Sequence, residues 1–223
     1  MEAANIGPRE ADVAPAPAAE PTGGRLAGWT PADPAPLGLA GFAATTFCLS
    51  FINANLVNAT AVPVVLVLAL MYGGVAQLIA GIWEFRTGNT FGAVAFCSYG
   101  AFWLSLYFLF HTFLVLIPAS HRASAVGLYL WAWSIFTAYM FLAALRTTGA
   151  VALVLLLLLV TFVLLAIGNS ALAGGTAATN NTIKLGGWVG IVTAAAAWYT
   201  SAAAVMNSTF DRVLLPVFPL HRP

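Results

Sequence analysis

Charged residues are scarce in this chain, since Asp, Glu, Lys and Arg together make up 7% of its 223 residues. The formal net charge is +1 and no basic cluster occurs, which argues against a protein that binds nucleic acid. Cysteine is scarce as well, and both cysteines, Cys48 and Cys97, fall inside apolar stretches. Two cysteines at this spacing indicate neither a disulfide framework nor a metal site. We therefore expect no metal ion and no cofactor.

The motifs of several enzyme and pump classes are missing too. No Gly-x-Ser-x-Gly elbow occurs, and none of the three histidines stands beside a candidate nucleophile in the sequence. No P-loop occurs, so this chain alone is not expected to drive transport with ATP. The only lysine, Lys184, lies in a linker, which argues against a retinal Schiff base inside a helix bundle. The sequence therefore predicts a protein that is not an enzyme.

Apolar residues, in contrast, are abundant. They make up 61% of the chain, and the mean hydropathy is +0.92, which is typical of integral membrane proteins. Six runs have about the 20 residues that a transmembrane helix needs. We therefore predict an all-α integral membrane protein whose six-helix domain covers residues 34–206. The expected spans are residues 34–57, 63–85, 91–117, 125–145, 150–168 and 185–206, with a Gly/Ala/Thr/Asn linker at residues 170–184.

The two ends of the chain contain no expected span. Residues 1–33 are rich in Ala, Pro, Glu and Gly and predict a disordered tail, because they cannot bury enough apolar surface to offset the entropy of ordering. They also lack the apolar region of a signal peptide. Residues 207–223 hold three prolines and form the expected C-terminal tail.

Orientation follows from the basic residues in the loops. Six of the eight Lys and Arg residues fall on the side that holds both termini, so both termini are predicted to be cytoplasmic in a multi-pass protein of the cell membrane. Six antiparallel spans also give the first three and the last three opposite orientations, which permits a 3+3 inverted arrangement, although no clear sequence repeat supports one.

The central stretch, residues 72–103, predicts a helical hairpin that bends at residues 84–90. It reads YGGVAQLIAGIWEFRTGNTFGAVAFCSYGAFW. Gly73, Gln77 and Gly81 recur every four residues on one face of the second span. Such a face indicates either close helix packing through small residues or a surface that meets a solute pathway, and both interpretations stay open.

Polar side chains inside the spans are candidates for a pathway, and interhelical hydrogen bonding is their alternative role. Glu84 is the only acid between Asp33 and Asp211, so it is a candidate for proton coupling or a charge at the membrane interface. His111, near the outer end of the third span, has the same two interpretations. The polar pathway candidates are Thr45, Thr46, Asn53, Asn55, Gln77, Ser98 and Asn169.

Several motifs in order carry a resemblance to a known family. Residues 33–39 read Asp-Pro-Ala-Pro-Leu-Gly-Leu, and the segments YGGVAQLIAG, GNTFG, SYGAFW and AIGN follow. Over residues 33–215 the chain resembles the acetate uptake transporter family, also called succinate–acetate permeases. The resemblance implies six transmembrane helices per subunit, a hexameric ring, and a separate pathway through each subunit. It further implies passage of acetate and similar small monocarboxylates, with succinate taken by some members, through an anion channel or a proton-linked transporter.

The resemblance also implies particular site residues. In the family, a Phe, a Tyr and a Leu form a hydrophobic constriction, and an Asn-Pro-Ala-Pro-Leu-Gly-Leu signature stands at the pathway entrance. This chain departs from that signature at its first residue, where an ionised Asp can only accept hydrogen bonds. The corresponding residues are Phe42, Tyr99 and Leu158 for the constriction, and Asp33, Pro34, Pro36 and Gly38 for the entrance.

Other functions remain compatible with the residues alone. A membrane sensor or scaffold of the same fold would not transport, and an intramembrane enzyme would use Ser98, Ser105 or His111. A channel for a neutral solute such as ammonia or glycerol also fits the bare composition. The expected partners are acetate or another small carboxylate, membrane lipid and further copies of this chain.

Overall fold

The computed structural model describes residue 29, residues 31–172 and residues 178–220. Nearly all of the expected N-terminal tail lies outside the described residues. Six helices in the described part are long and apolar enough to cross a membrane, which confirms the predicted number and fold class. They are α1 (Ala35–Asn53), α2 (Ala59–Thr87), α3 (Thr90–Leu116), α4 (Arg122–Ala144), α5 (Gly149–Leu172) and α6 (Ala178–Thr209).

The helix ends differ from the expected spans in two places. α1 ends at Asn53, and Asn55 adopts a left-handed conformation with φ of 59°, so the first span is shorter than predicted. The linker predicted at residues 170–184 is wrong at both ends, because α5 continues to Leu172 and α6 begins at Ala178. Extending an existing helix adds one hydrogen bond per residue, and this outweighs the weak turn preference of Asn and Thr.

The second helix is interrupted by a wider turn that the sequence did not predict. Residues Met71–Ala76 of α2 are π-helical, and a second π stretch, Leu109–Phe113, lies in α3. α1 approaches the first of these so closely that a Cβ at Gly41 would lie 2.5 Å from the carbonyl oxygen of Tyr72. Single π turns inside α-helices are frequent at functional sites. The glycine and aromatic residues of these two stretches do not predict such a turn from the sequence.

The turn between α2 and α3 explains the GNTFG segment. Gly88 ends α2 with φ of 80°, a left-handed conformation that glycine adopts without strain. Asn89 caps α3, since its Oδ1 accepts the N–H of Gly92 at 3.0 Å. A Cβ on Gly92 would lie 2.7 Å from Oε1 of Glu84, so this glycine makes room for that carboxyl group.

The two arms of this hairpin pack through glycine. A Cβ at Gly81 would collide with the backbone nitrogen of Cys97, and one at Gly100 would lie 2.8 Å from the backbone nitrogen of Leu78. This is the close contact of backbones that small residues permit in membrane helices. The packing interpretation of the glycine-bearing face of α2 therefore holds at Gly81.

Replacing Gly81 with valine is expected to destabilise the protein, because backbone atoms cannot move aside as a flexible side chain can. Overpacking of this kind costs about 1–3 kcal/mol or more. Thermal unfolding of the detergent-purified protein would measure the loss. Ala101→Val, at an exposed position of α3, is the matched control and should melt like the wild type. Equal melting temperatures for both variants would contradict the packing account.

After α6 the chain returns to the corner between α4 and α5. The N–H of Gly149 donates to the carbonyl oxygen of Phe218 at 2.7 Å, and the N–H of Leu220 donates to that of Thr147 at 3.0 Å. The expected C-terminal tail is therefore held against the bundle as far as residue 220. Its attachment to the α4–α5 corner puts that corner and the C-terminal end of α6 at the same end of the bundle.

Candidate functional site

Two cavities inside the bundle share part of their lining. The first has a volume of about 340 Å³ and the second about 280 Å³. Phe42 and Leu158 line both, and Tyr99 lines the first. The ring centroids of Phe42 and Tyr99 are 5.9 Å apart, and all three side chains are only 3–4% exposed. The three residues expected at the constriction, here termed the Phe–Tyr–Leu cluster, thus all line the first cavity, and two of them also line the second.

Three different helices supply this cluster, and neighbouring side chains fix its orientation. The hydroxyl groups of Tyr99 on α3 and Thr137 on α4 share a hydrogen bond of 3.0 Å. Phe136 meets the Tyr99 ring edge-on at a centroid distance of 5.2 Å. On α5, Leu158 is 3% exposed whereas Leu156, two residues earlier, is 41% exposed. The leucine run therefore has one inward face, and Leu158 lies on it.

The first cavity lies at the end of the bundle that holds the α2–α3 turn. Its lining is mostly apolar but includes Gln77 and Glu84, each 1% exposed. Oε2 of Glu84 accepts the hydroxyl of Thr87 at 3.1 Å. Oε1 of Glu84 and Oε1 of Gln77 have no hydrogen-bond partner among the described residues. Glu84 is thus buried rather than exposed at the membrane surface, and a buried carboxylate is costly unless it is paired or protonated.

The second cavity extends from the Phe–Tyr–Leu cluster toward the opposite end. Three predicted pathway residues line it, namely Thr46, Asn53 and Asn169. The amide of Asn169 donates to the carbonyl oxygen of Leu165 at 2.8 Å. Trp103 also lines this cavity and was not anticipated as a site residue, although the SYGAFW segment contains it.

Buried polar atoms without a partner coincide with these cavities. Within the part of the chain that the structure describes, four such side-chain atoms occur, and every one belongs to a residue that lines one of the cavities. Such atoms are rare in folded proteins because leaving them unpaired is unfavourable, so their grouping is the pattern expected where water or a solute binds. They are Oε1 of Gln77, Oε1 of Glu84, Oγ1 of Thr46 and Nε1 of Trp103.

Comparison with known proteins agrees with this architecture. A model of the GPR1/FUN34/yaaH family matches residues 20–222. The chain belongs to the GPR1/FUN34/yaaH family. The succinate-acetate/proton symporter SatP of Escherichia coli (strain K12) is 39% identical over 190 residues, which cover 85% of this chain and 97% of SatP. Ammonia transport outward protein 2 of Saccharomyces cerevisiae (strain ATCC 204508 / S288c) is 39% identical over 194 residues, covering 85% of this chain and 67% of that protein.

A solved structure supports the same membership of the GPR1/FUN34/yaaH family. The chain in the structure titled "Structure of the bacterial acetate channel SatP" shares 40% sequence identity with this chain. The two superpose with a TM-score of 0.76, and the match covers 84% of this chain and 99% of that chain. These matches confirm the resemblance drawn from the motifs and the six-helix fold. The names of the relatives describe one as a proton symporter and one as a channel, so they leave the mechanism of family members open.

The structure keeps four of the predicted residues away from both cavities. Thr45 is fully buried, but its hydroxyl donates to a backbone carbonyl of α1 at 3.0 Å and packs against Gly73. Asn55 is exposed in the α1–α2 loop, and Ser98 lines neither cavity. His111 is exposed and stacks on a tyrosine of its own helix at 5.1 Å. For Thr45 the helix-contact interpretation therefore fits better than the pathway interpretation.

The family signature at the start of α1 has a structural role in this chain. Oδ1 of Asp33 accepts the N–H of Ala35 at 2.9 Å, and Asp and Asn both offer such an oxygen, so the departure from the family Asn keeps this bond. The helix begins at Ala35, with Pro34 in the N-cap position. The carbonyl of Pro36 accepts the hydroxyl of Ser201 on α6 at 2.7 Å.

Gly38 of the same signature has a packing reason. A Cβ at this position would lie 2.6 Å from the ring of Phe96 on α3. Ala35, at the first turn of α1, lines the first cavity together with Phe96. The signature therefore holds the start of α1 against α3 and α6, at the end of the first cavity remote from the Phe–Tyr–Leu cluster.

Proposed function

We propose that this chain carries acetate and similar small monocarboxylates across the cell membrane, through the two cavities and the Phe–Tyr–Leu cluster between them. The observation that carries the proposal is the shared lining, since Phe42 and Leu158 border both cavities. The substrate class is supported by the printed names of the relatives, a succinate-acetate/proton symporter and an acetate channel. Such a protein is a transporter and not an enzyme.

The chemistry of the cluster suits small solutes. Removing water from a carboxylate is costly. An apolar constriction between the two cavities therefore opposes passage of the hydrated anion, and it passes a small or protonated acid more readily. Donors beyond the constriction then replace the lost water. Selection by size follows because three buried side chains, two of them aromatic, bound the narrow part.

Proton coupling is a further element of the proposal, and the position of Glu84 supports it. Glu84 supplies the only carboxyl group that lines either cavity in the described part of the chain. One of its oxygens has no hydrogen-bond partner among the described residues, and the residue lines the first cavity, so this side chain can take up a proton there. The exposed position of His111 offers no comparable support. A protonated acid that crosses by itself is the alternative, and it needs no relay residue.

A neutral-solute pathway is the second candidate function. One relative is named for ammonia transport, and the lining of the two cavities is largely apolar. An ammonia pathway would not depend on the size of the constriction as a carboxylate pathway does. A membrane sensor or scaffold without flux is the remaining alternative.

Assembly and orientation are also proposed. Many large apolar side chains of the isolated chain are exposed, among them Leu128, Ile135 and Leu142 on one face of α4, and such faces suit lipid or another subunit. We propose the hexameric ring that the family resemblance implies, with both termini cytoplasmic. Native mass spectrometry in detergent would count the subunits, and a monomer would overturn the ring.

The test is uptake of labelled acetate into liposomes that hold the purified protein, with and without an imposed pH gradient. We expect flux above protein-free vesicles, and accumulation driven by inward proton flow if Glu84 couples it. Flux that only equilibrates the anion with membrane voltage would support a channel instead. Uptake of methylammonium without acetate flux would favour the ammonia pathway, and no flux from folded protein would leave the scaffold.

A further inference from the structure

The segment after α6, residues 213–220, is tied to that helix by two polar side chains and is here termed the C-terminal strap. Oδ1 of Asn207 accepts the N–H groups of two consecutive strap residues at 2.7 and 3.0 Å. Its Nδ2 donates to the carbonyl oxygen of the second, Leu215, at 2.8 Å. The hydroxyl of Tyr199 donates to the carbonyl oxygen of Pro216 at 2.7 Å. These bonds direct the chain back across the end of the bundle.

The far end of the strap completes the start of α5. The first N–H groups of an α-helix have no partner within the helix. Here those of Gly149 and Ala150 donate to the carbonyl oxygens of two consecutive strap residues at 2.7 and 3.2 Å, and the carbonyl oxygen of Thr147 accepts a strap N–H at 3.0 Å. Thr147 and Val151, which stand on either side of these bonds, line the first cavity. The strap therefore holds part of the wall of that cavity.

The corner that the strap holds borders the mouth of the first cavity. At this end the lining comes from the start of α1, the α2–α3 turn and the α4–α5 corner, through Ala35, Asn89 and Thr147. Asn89 is exposed and Thr147 is half-buried, so the cavity reaches the molecular surface here. A corner that moves away from the α2–α3 turn widens this mouth.

The attachment of the strap is specific but weak. No residue from 210 to 220 is buried, and Phe218 is 62% exposed. Phe218 also has φ of 54°, a left-handed conformation that is unfavourable for a bulky side chain. Segments with exposed hydrogen bonds and few buried apolar contacts open more easily than the rest of a protein. The strap is thus suited to release without unfolding of the bundle.

We propose that the C-terminal strap is a movable element that controls access to the first cavity. When attached, it holds the α4–α5 corner and keeps the mouth narrow, and when released, it lets the corner move and admits solute more readily. It rests on the proposed function, since a small carboxylate is the solute whose entry it controls. No strap residue lines either cavity, so the strap acts through Thr147 and Val151.

The reactivity of Val151→Cys in the detergent-purified protein tests this release without relying on flux. The background carries alanine in place of Cys48 and Cys97, and the reagent is a charged methanethiosulfonate. Asn207→Ala removes three of the bonds that hold the strap, and we expect the rate of modification to rise about tenfold, as loss of several hydrogen bonds implies. Tyr199→Phe removes one bond and should raise the rate by a smaller factor.

Ser208→Ala is the matched control at the same end of α6. The hydroxyl of Ser208 donates to the carbonyl oxygen of Val205 in its own helix at 3.0 Å, so its removal should leave the rate of modification unchanged. Equal rates in Asn207→Ala and Ser208→Ala would overturn the movable strap. If Asn207→Ala fails to fold, a rate in Tyr199→Phe equal to that of the control would overturn it instead.

A reversible tether tests whether release governs entry. Thr148 and Pro219 form an antiparallel pair, and the hydrogen bonds are made by their neighbours. The Cα atoms of such a pair are about 4.5 Å apart, which a disulfide can bridge. In the same cysteine-free background, oxidation of Thr148→Cys combined with Pro219→Cys should slow acetate uptake into liposomes, and dithiothreitol should restore it, whereas Thr148→Cys alone should not respond.

The two measurements separate the strap from the proposed transport. Acetate uptake that oxidation of the confirmed disulfide leaves unchanged would overturn the control of access. Faster modification of Val151→Cys in Asn207→Ala, with no acetate flux in any variant or in the wild type, would keep the movable strap and refute the proposed transport.

Discussion

Phe42→Ala is expected to admit carboxylates that the wild-type protein excludes. The ring is 4% exposed, borders both cavities and packs on Tyr99, so its removal widens the boundary between them. Uptake of a bulky acid such as benzoate should rise about tenfold or more, since lowering a barrier by about 1.4 kcal/mol gives a factor of ten. Initial rates of labelled benzoate and acetate uptake into liposomes would measure the change.

Phe47→Ala provides the control for this prediction. Phe47 lies on the same helix, but its ring packs on Phe51 at 4.4 Å and on Trp198 at 5.1 Å, and it lines neither cavity. Its removal should leave benzoate excluded. Benzoate uptake that stays at the wild-type level in Phe42→Ala would count against the gate, and an equal rise in both variants would point to a general loosening of the bundle.

Glu84→Gln is expected to uncouple acetate uptake from protons while leaving downhill exchange intact. Glutamine has nearly the same shape and still accepts the Thr87 hydroxyl, but it cannot ionise. With one pH unit imposed across the membrane, coupled uptake gains about a factor of ten, and this gain should disappear in the variant. Protein-mediated uptake, corrected for acid that crosses protein-free vesicles, would be compared with exchange at uniform pH.

Asp33→Asn serves as the control for the carboxyl group at position 84. Asp33 is exposed, and asparagine retains the oxygen that accepts the N–H of Ala35. This variant should keep the full response to the pH gradient. A response to the gradient in Glu84→Gln equal to that of the wild type would mean that the proton crosses with the acid itself, without this side chain.

Much of the architecture could be predicted from the sequence. Six apolar runs determined the number of spans, because the bilayer thickness sets the length of every transmembrane helix. The close contact at Gly81 agrees with one of the two interpretations that the four-residue spacing in the sequence left open, close helix packing. Motif order mapped Phe42, Tyr99 and Leu158, and the structure brings these three side chains together.

Periodicity could not predict which leucine of α5 faces inward. In a run of leucines every position has the same hydrophobicity, and composition alone would predict that this helix faces the lipid. Its inward face is determined by packing against the other helices. The burial of Glu84 has a similar origin. It stands near the end of a span, where hydropathy favours an interfacial charge, yet the glycine at position 92 leaves room for its carboxyl group.

The unpartnered polar groups of the second cavity are another feature that the sequence could not predict. Trp103 reads as one more apolar aromatic in its span, and nothing in its local pattern tells that its N–H lacks a partner. Thr45 and Thr46 are adjacent and chemically identical, yet the hydroxyl of Thr45 bonds to its own helix, whereas Thr46 lines the second cavity and its hydroxyl has no partner among the described residues. The two side chains differ in the direction in which they leave the helix. The sequence does not show which of the two hydroxyls bonds to the backbone of its own helix, because any threonine hydroxyl in a helix can do so.

The central claim is that the solute passes between the cavities at the Phe–Tyr–Leu cluster, and modification of one leucine tests it most directly. In a background with Cys48 and Cys97 replaced by alanine, Leu158→Cys and Leu156→Cys would each be treated with a small neutral methanethiosulfonate. Mass spectrometry would confirm the extent of reaction. We expect acetate flux to be blocked at position 158, with protection by acetate, and to persist at the outward-facing position 156. Undiminished flux through fully modified Leu158→Cys would contradict the account.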